Sequence, residues 1–268
     1  MTAASRTATP LIAVDIGNSA TKVGWFGPES AAANQPSTSL PQPLLVRDFP
    51  TGQVPPAELL AELPVAAVRW RVASVNREGE RQLAEWVQAR RPDDDYRRLT
   101  FRDLPLTVAV DFPDRVGVDR LAAAVGANVL REPARAAIVI GAGTAVTVDL
   151  VTADGAFAGG TILAGFRMQA EALFGRADLL PLALLAPQDE PPPVLGKNTE
   201  AAIRSGLFWG AVGAVREIAT RLSAGLDPSP QIFVTGGDLT RLAPLVGEHT
   251  RYVPNLVLAG VALAGRSA

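Results

Sequence analysis

The chain has 268 residues, 48% hydrophobic and 19% charged, with a formal charge of −2 and a pI near 5.6. That is enough apolar material for one large domain or two medium ones, and no stretch gathers Lys and Arg on one face, so a nucleic-acid partner is not expected. With no cysteine and a single histidine, His249, the chain has no disulfide framework, thiolate catalysis or Cys-ligated zinc, and a small-molecule partner is favoured.

Met1 to Pro10 is Ala/Thr-rich with one Arg and does not read as a signal peptide. The longest apolar stretch, Ala136 to Val148, is shorter than the roughly 20 residues of a membrane helix. A cytoplasmic protein without a membrane partner is expected.

Leu11 to Val14 reads as a buried strand ending at Asp15-Ile-Gly-Asn-Ser, and Lys22 to Phe26 as its returning partner, a hairpin with a polar tip. From Gly27 to Pro56 the Pro-, Ser-, Ala- and Gln-rich composition suggests a surface insertion with one strand, Leu44 to Phe49; no chemistry is expected of it. A strand over Ala66–Val75, a helix over Glu78–Arg90, a strand over Leu106–Val110 and a helix over Leu121–Leu130 complete the first half. The pattern then begins again. Ala136–Ile140 is a buried strand, Gly141 to Ala145 a turn, and Val146–Val151 a returning strand, with a third strand over Phe157–Leu163. Helices follow over Phe166–Phe174 and Thr199–Leu222, separated by a Pro-rich span from Pro187 to Pro193. A strand over Ile232–Val234 and helices over Leu239–Val246 and Leu256–Ala264 close the chain.

The first tip, Asp15 to Lys22, sets a carboxylate at a strand end, glycine backbone where a phosphate can approach, and a lysine within reach of a phosphate oxygen. Asp15 could hold Mg²⁺ through water; the same residues also suit a hairpin turn held by Asx hydrogen bonds. The second tip, Gly143 to Asp149, offers Gly backbone and Thr hydroxyls, or simply a β-turn between Thr-rich strands. Two such tips, roughly 130 residues apart and opening equivalent hairpins, match the actin-like ATPase plan, in which two loops grip nucleotide phosphates. The expected fold is therefore α/β: two duplicated RNase H-like domains, residues 1–131 and 132–268, with a cleft between them.

Thr235-Gly-Gly-Asp238 reads as a strand-to-helix turn where a flat ligand can approach the glycine backbone and Asp238 caps the helix. Gly117-Val-Asp-Arg120 precedes a helix. Asp119 suits either an N-cap or a base that accepts a hydroxyl proton, and Arg120 either a solvated cation or a bidentate carboxylate clamp.

Six motifs in this order resemble those of type III pantothenate kinases and of the related Bvg accessory factor group. They are Asp15-Ile-Gly-Asn-Ser, Gly117-Val-Asp-Arg, Gly143-Thr-Ala-Val-Thr-Val-Asp, Gly159 to Gly165, Gly196-Lys-Asn-Thr199 with Ile203-Arg-Ser-Gly206, and Thr235-Gly-Gly-Asp238. The resemblance implies an ATP-dependent enzyme that phosphorylates pantothenate to 4′-phosphopantothenate, the first step towards coenzyme A. The alternative on the same fold is a non-catalytic nucleotide-binding or regulatory protein of the Bvg accessory factor type.

By the same resemblance, Asp15, Gly17, Asn18, Ser19 and Lys22 serve ATP phosphate and Mg²⁺, joined by Gly143 and Thr144, with Gly236 and Gly237 beside adenosine. Asp119 is the catalytic base, Gly117, Val118, Asp119 and Arg120 bind pantothenate, and Thr199 touches it. The family completes its acceptor pocket from a neighbouring subunit, so a homodimer is implied; Gly206, Gly210 and Ala214 on the Thr199 helix would allow close packing between subunits or within one. The chain departs from the family at three positions. Gly141 stands where an Asp usually ligates a monovalent cation, K⁺ or NH₄⁺; Val110 stands where many members have a substrate-contacting Tyr; and Ala164 replaces a Pro.

Overall fold

The computed structural model describes residues 9–27, 39–186, 189–237, 243–247 and 249–264. Asp238, the expected helix cap, residues 239–242 of the helix expected there, and residues 28–38 of the expected insertion lie outside them.

The chain divides into two compact units, the first holding residues 1–106, 111–130 and 256–268 and the second residues 107–110 and 131–255. The first unit contains β1 (Leu11–Ile16), β2 (Ala20–Phe26), β3 (Leu45–Pro50), α1 (Ala57–Glu62), β4 (Arg69–Ser74), α2 (Arg77–Arg90), β5 (Asp95–Arg98) and α3 (Val118–Leu130). The second contains β6 (Ala137–Ala142), β7 (Ala145–Val151), β8 (Phe157–Ala164), α4 (Phe166–Arg176), α5 (Thr199–Ser223), β9 (Gln231–Thr235), α6 (Ala243–Val246) and β10 (Thr250–Tyr252). The last helix, α7 (Leu256–Ala264), belongs to the first unit, although it follows the expected boundary at 131.

The strand orders are β3-β2-β1-β4-β5 and β10-β9-β6-β7-β8. Read from the β8 edge, the second order repeats the first: a central strand, an antiparallel hairpin partner and third strand on one side, and two parallel strands on the other. The duplication expected from the two polar tips is thus a duplication of sheet topology.

Strand alternation sorts the first sheet's side chains onto two faces. Ile12, Val14, Ile16, Trp70 and Val72 pack with Leu59 of α1 and with Leu83 and Val87 of α2. The other face, which carries Asp15 and Lys22, is met by α7: a Cβ added at Gly24 of β2 would lie 3.1 Å from Leu258. Between α3 and α7 a glycine on each helix, Gly126 and Gly260, gives the other helix room. A Cβ at Gly260 would overlap the Ala122 carbonyl oxygen, and one at Gly126 would come 3.1 Å from the Leu256 carbonyl oxygen. Only glycine allows backbones this close.

The expected strand over Leu106–Val110 is one parallel bridge, Val108 to Phe157, with two hydrogen bonds of 2.8 Å. The Gly155 N–H, which the next bridge backwards would need, instead donates to the Thr152 carbonyl at 2.9 Å. Among the α-helices and strands described, α1, β5 and β10 were not expected from the sequence.

Candidate active site

Asp15 is the penultimate residue of β1, directly opposite Lys22 of β2 in the antiparallel register, so the two side chains share one sheet face. The next row over places Asp48 of β3 opposite Lys22. Asp15 is partly buried, and no hydrogen bond reaches its carboxylate among the described residues. Burial, first, and then the charge of Asp119 raise its pKa from the ordinary 3.8 to about 7, with the Lys22 ammonium opposing.

Asp119 sits within the first turn of α3, not ahead of it, because the helix begins at Val118. Its Oδ1 accepts the Arg120 backbone N–H at 2.9 Å. Burial raises its pKa, while that hydrogen bond and the Arg120 charge hold the rise back. Gly117 has a local reason to be glycine. A Cβ there would overlap the Asp119 carboxylate, so the glycine leaves the room that the carboxylate occupies.

The tip at Gly17–Ser19 is closed by the Gly17 N–H donating to the Ala20 carbonyl at 3.0 Å. It is not held as an Asx turn: Asn18 Oδ1 accepts from Asn76 Nδ2 at 3.3 Å, and Asn76 in turn caps α2 by accepting from the Gly79 N–H at 2.8 Å. Thr51 clamps the same tip from below, its hydroxyl donating to the Gly17 carbonyl at 2.9 Å and its N–H to the Ser19 carbonyl at 3.1 Å. The segment of which no chemistry was expected therefore supplies an edge strand and a clamp for the β1–β2 tip. Asn76 and Thr51 were missed because their partners are brought to them by strand register, which their own sequence neighbourhoods do not announce.

In the second unit the β6–β7 tip is Gly143-Thr144, closed by the Gly143 N–H and the Ala145 carbonyl at 3.1 Å. Glycine backbones approach it from two sides. The Gly165 N–H donates to the Thr144 carbonyl at 3.0 Å, and Cβ atoms at Gly165 or Gly236 would overlap backbone of Gly143–Thr144 or Ala142 respectively. Gly236, with φ +106°, follows β9, whose Thr235 pairs with Gly141, so the Gly236-Gly237 turn and the Gly143-Thr144 tip share one end of the sheet. The Tyr252 hydroxyl donates to the Gly236 carbonyl at 3.3 Å, a contact not legible in the sequence.

Gly141 occupies in β6 the penultimate place that Asp15 occupies in β1, and the side-chain oxygen facing it is Thr147 Oγ1, 2.9 Å from where a Cβ would stand. Val110 faces Gly159 on β8. Thr199 is the exposed first residue of α5, after the Asn198 cap. Within the first unit the structure thus gathers Asp15, Lys22 and Asp119, with Gly17–Ser19 at the tip that follows Asp15. Within the second it gathers Gly141, Gly143, Thr144, Gly236 and Gly237.

Two solved structures align over nearly the whole chain, each with a TM-score of 0.55. One is a Sinorhizobium meliloti protein provisionally assigned as a 2-dehydro-3-deoxygalactonokinase, 19% identical, covering 96% of this chain and 98% of its own. The other is the ethanolamine utilization protein EutJ of Carboxydothermus hydrogenoformans, 14% identical, covering 95% and 89%. At such identities the likeness speaks to the fold, two α/β units of the actin-like, sugar-kinase kind. Sequence relatives are nearer. A type III pantothenate kinase of Alkalilimnicola ehrlichii is 35% identical over 257 residues, 94% of this chain and 96% of the relative. One of Rhodopirellula baltica is 36% identical over 249 residues, covering 85% and 87%. A sequence model of this family matches residues 11–221, a span that holds every motif above except Thr235 to Asp238. The chain belongs to the type III pantothenate kinase family.

Proposed function

We propose that the protein transfers the γ-phosphoryl group of ATP to the primary hydroxyl of pantothenate, giving 4′-phosphopantothenate and ADP, the first step of coenzyme A biosynthesis. The observation that carries this reading is the pair of raised-pKa carboxylates, Asp15 and Asp119, beside Lys22 in a chain of this family. Asp119 takes the proton of the acceptor hydroxyl as its oxygen attacks the γ-phosphorus and the ADP oxygen departs. Its raised proton affinity suits a base, and Arg120 beside it suits the carboxylate of pantothenate. Gly117, Val118 and Thr199 are the remaining acceptor contacts.

Lys22, with the backbone of Gly17–Ser19 and of Gly143–Thr144, binds the phosphates, and Gly236 and Gly237 lie along adenosine. A carboxylate that is partly buried and receives no hydrogen bond fits a cation, so Asp15 is the residue to hold Mg²⁺ through water, which would neutralise phosphate charge. The usual carboxylate for a monovalent cation has no counterpart at Gly141, leaving K⁺ or NH₄⁺ to neutral oxygens such as Thr147 Oγ1. A homodimer fits Gly206 and Gly210 of α5, which are exposed and where an added Cβ would meet nothing within 4 Å among the described residues.

Purified protein incubated with ATP, Mg²⁺ and pantothenate, with and without K⁺ or NH₄⁺, tests the reading by mass-spectrometric detection of the product. Formation of 4′-phosphopantothenate is expected. Nucleotide binding with no product under any of these salts would favour the non-catalytic alternative.

A further inference from the structure

The segment from Asp189 to Asn198 runs along α5 and buries little of itself. Val194 is 74% exposed and Leu195 77%, and Pro191 and Pro193 are exposed as well, so apolar burial does little to hold it. Side chains of α5 hold it through polar bonds instead. The buried Ser205 hydroxyl donates to the Val194 carbonyl at 2.7 Å, and the Trp209 indole N–H donates to the Pro192 carbonyl at 2.9 Å. Ser205 and Trp209 are one helical turn apart and act from one face, while Arg204 pairs with Asp189 at the start of the strap.

Beyond these anchors the strap has little freedom left. Pro191 to Pro193 fix φ at three successive residues. A Cβ at Gly196 would overlap the backbone of Ala201 and Ala202, so the strap backbone lies directly on the first turn of α5. Asn198 then closes onto the helix, its Oδ1 accepting the Ala201 N–H at 2.8 Å.

We propose that Ser205 and Trp209 are positioning residues for the acceptor: by tying the strap carbonyls to α5 they fix the place of Thr199, the first helical residue. This rests on reading Thr199 as a contact to pantothenate. Both bonds end on backbone carbonyls, so the strap is held whatever its exposed side chains are. Without them, acceptor binding must order the segment at the moment of contact, which weakens binding and leaves the chemistry alone.

The experiment combines steady-state kinetics and amide hydrogen exchange on the full chain carrying Ser205→Ala, Trp209→Phe, the pair together, or Thr199→Val. Trp209→Phe keeps an aromatic ring against Phe208, whose centroid is 5.1 Å away, and removes only the donor. Each single strap variant is expected to raise the pantothenate KM about three- to tenfold, with kcat and the ATP KM within about twofold of wild type. Amides of Gly196 to Glu200 should exchange faster. Unchanged exchange there overturns the positioning role whatever the kinetics show. Faster exchange with an unchanged pantothenate KM also overturns it, and the Thr199→Val result then stands separately: a raised KM keeps Thr199 as a contact, an unchanged one removes it. Equal losses in ATP and pantothenate KM would mean general loosening and would overturn the proposal too.

Discussion

The Asp119 carboxylate, in the first turn of α3, repels the carboxylate of Asp15 at the end of β1, and this repulsion adds to burial in raising the Asp15 pKa to about 7. The group that ionises later feels the charge of the other, so the pair titrates as a unit. Asp15 therefore stands near half-protonation at neutral pH.

Replacing Asp119 with Asn keeps the shape and removes both the proton acceptor and the charge. Turnover should fall by about 10² or more. ATP binding, measured by calorimetry, should stay within a few-fold, and the Asp15 pKa should fall, seen as a shift in its carboxyl resonance. Activity within a few-fold of wild type would return Asp119 to the part of a first-turn acid that favours the helix N-terminus.

The raised pKa of Asp15 also sets a pH dependence of stability. Below the ordinary 3.8 the carboxyl is protonated in both folded and unfolded chains; between 3.8 and about 7 the unfolded chain releases the proton and the folded one retains it. Folding stability is then lost as pH rises through this window, by roughly 4 kcal/mol at most. Asp15→Asn, which does not titrate, should lack that slope. Urea unfolding of the ligand-free protein from pH 4.5 to 8, as a difference between the two proteins, measures it. A flat difference would mean that the folded environment of Asp15 is no drier than water.

Gly260→Ala pushes a methyl group onto the Ala122 carbonyl oxygen and should destabilise by about 1–3 kcal/mol or more, because backbone must shift. Gly175→Ala in α4, where an added Cβ meets nothing within 4 Å, should stabilise by roughly 0.5–1 kcal/mol. Since Gly260 packs on the helix that carries Asp119, its variant should also lower kcat. Equal stability of the two variants would show that the α3–α7 approach is adjustable.

The apolar hairpins and long helices are legible in the sequence because burial imposes their periodicity, as in Leu11 to Val14 or Thr199 to Ser223. β5 is not, since three of the four residues of Asp95–Arg98 are exposed on a sheet edge and carry no apolar alternation. The assignment of α7 fails for another reason: chain order suggests that a terminal helix completes the half it follows, yet small residues on α7 fit α3. The residues proposed for the site that carry their own reactive groups, Asp15, Lys22 and Asp119, could be picked out one by one. Thr51, Asn76 and Tyr252 could not, because each works through a backbone carbonyl or amide side chain that only the folded register supplies.

Gly141 is where the duplication of the two sheets breaks chemically, since its counterpart in β1 is Asp15 and it has no side-chain oxygen. A monovalent cation there would meet carbonyls, water and the Thr147 hydroxyl, which compensate its charge poorly. Wild-type activity should therefore respond weakly to K⁺, or only at unusually high concentration. Gly141→Asp adds a carboxylate that is stabilised only with the ion present; without K⁺ it repels ATP, so this variant should be less active than wild type in K⁺-free buffer and recover as K⁺ is added. Its Cβ would stand 2.9 Å from Thr147 Oγ1, so the threonine must turn aside, and Gly141→Asp with Thr147→Ala separates that steric demand from the charge effect. The measurement is a K⁺ titration of the three proteins at fixed ionic strength, with a bulky organic cation as the replacement salt. If the wild type saturates at low-millimolar K⁺ and neither variant changes the curve, the cation site does not involve residue 141.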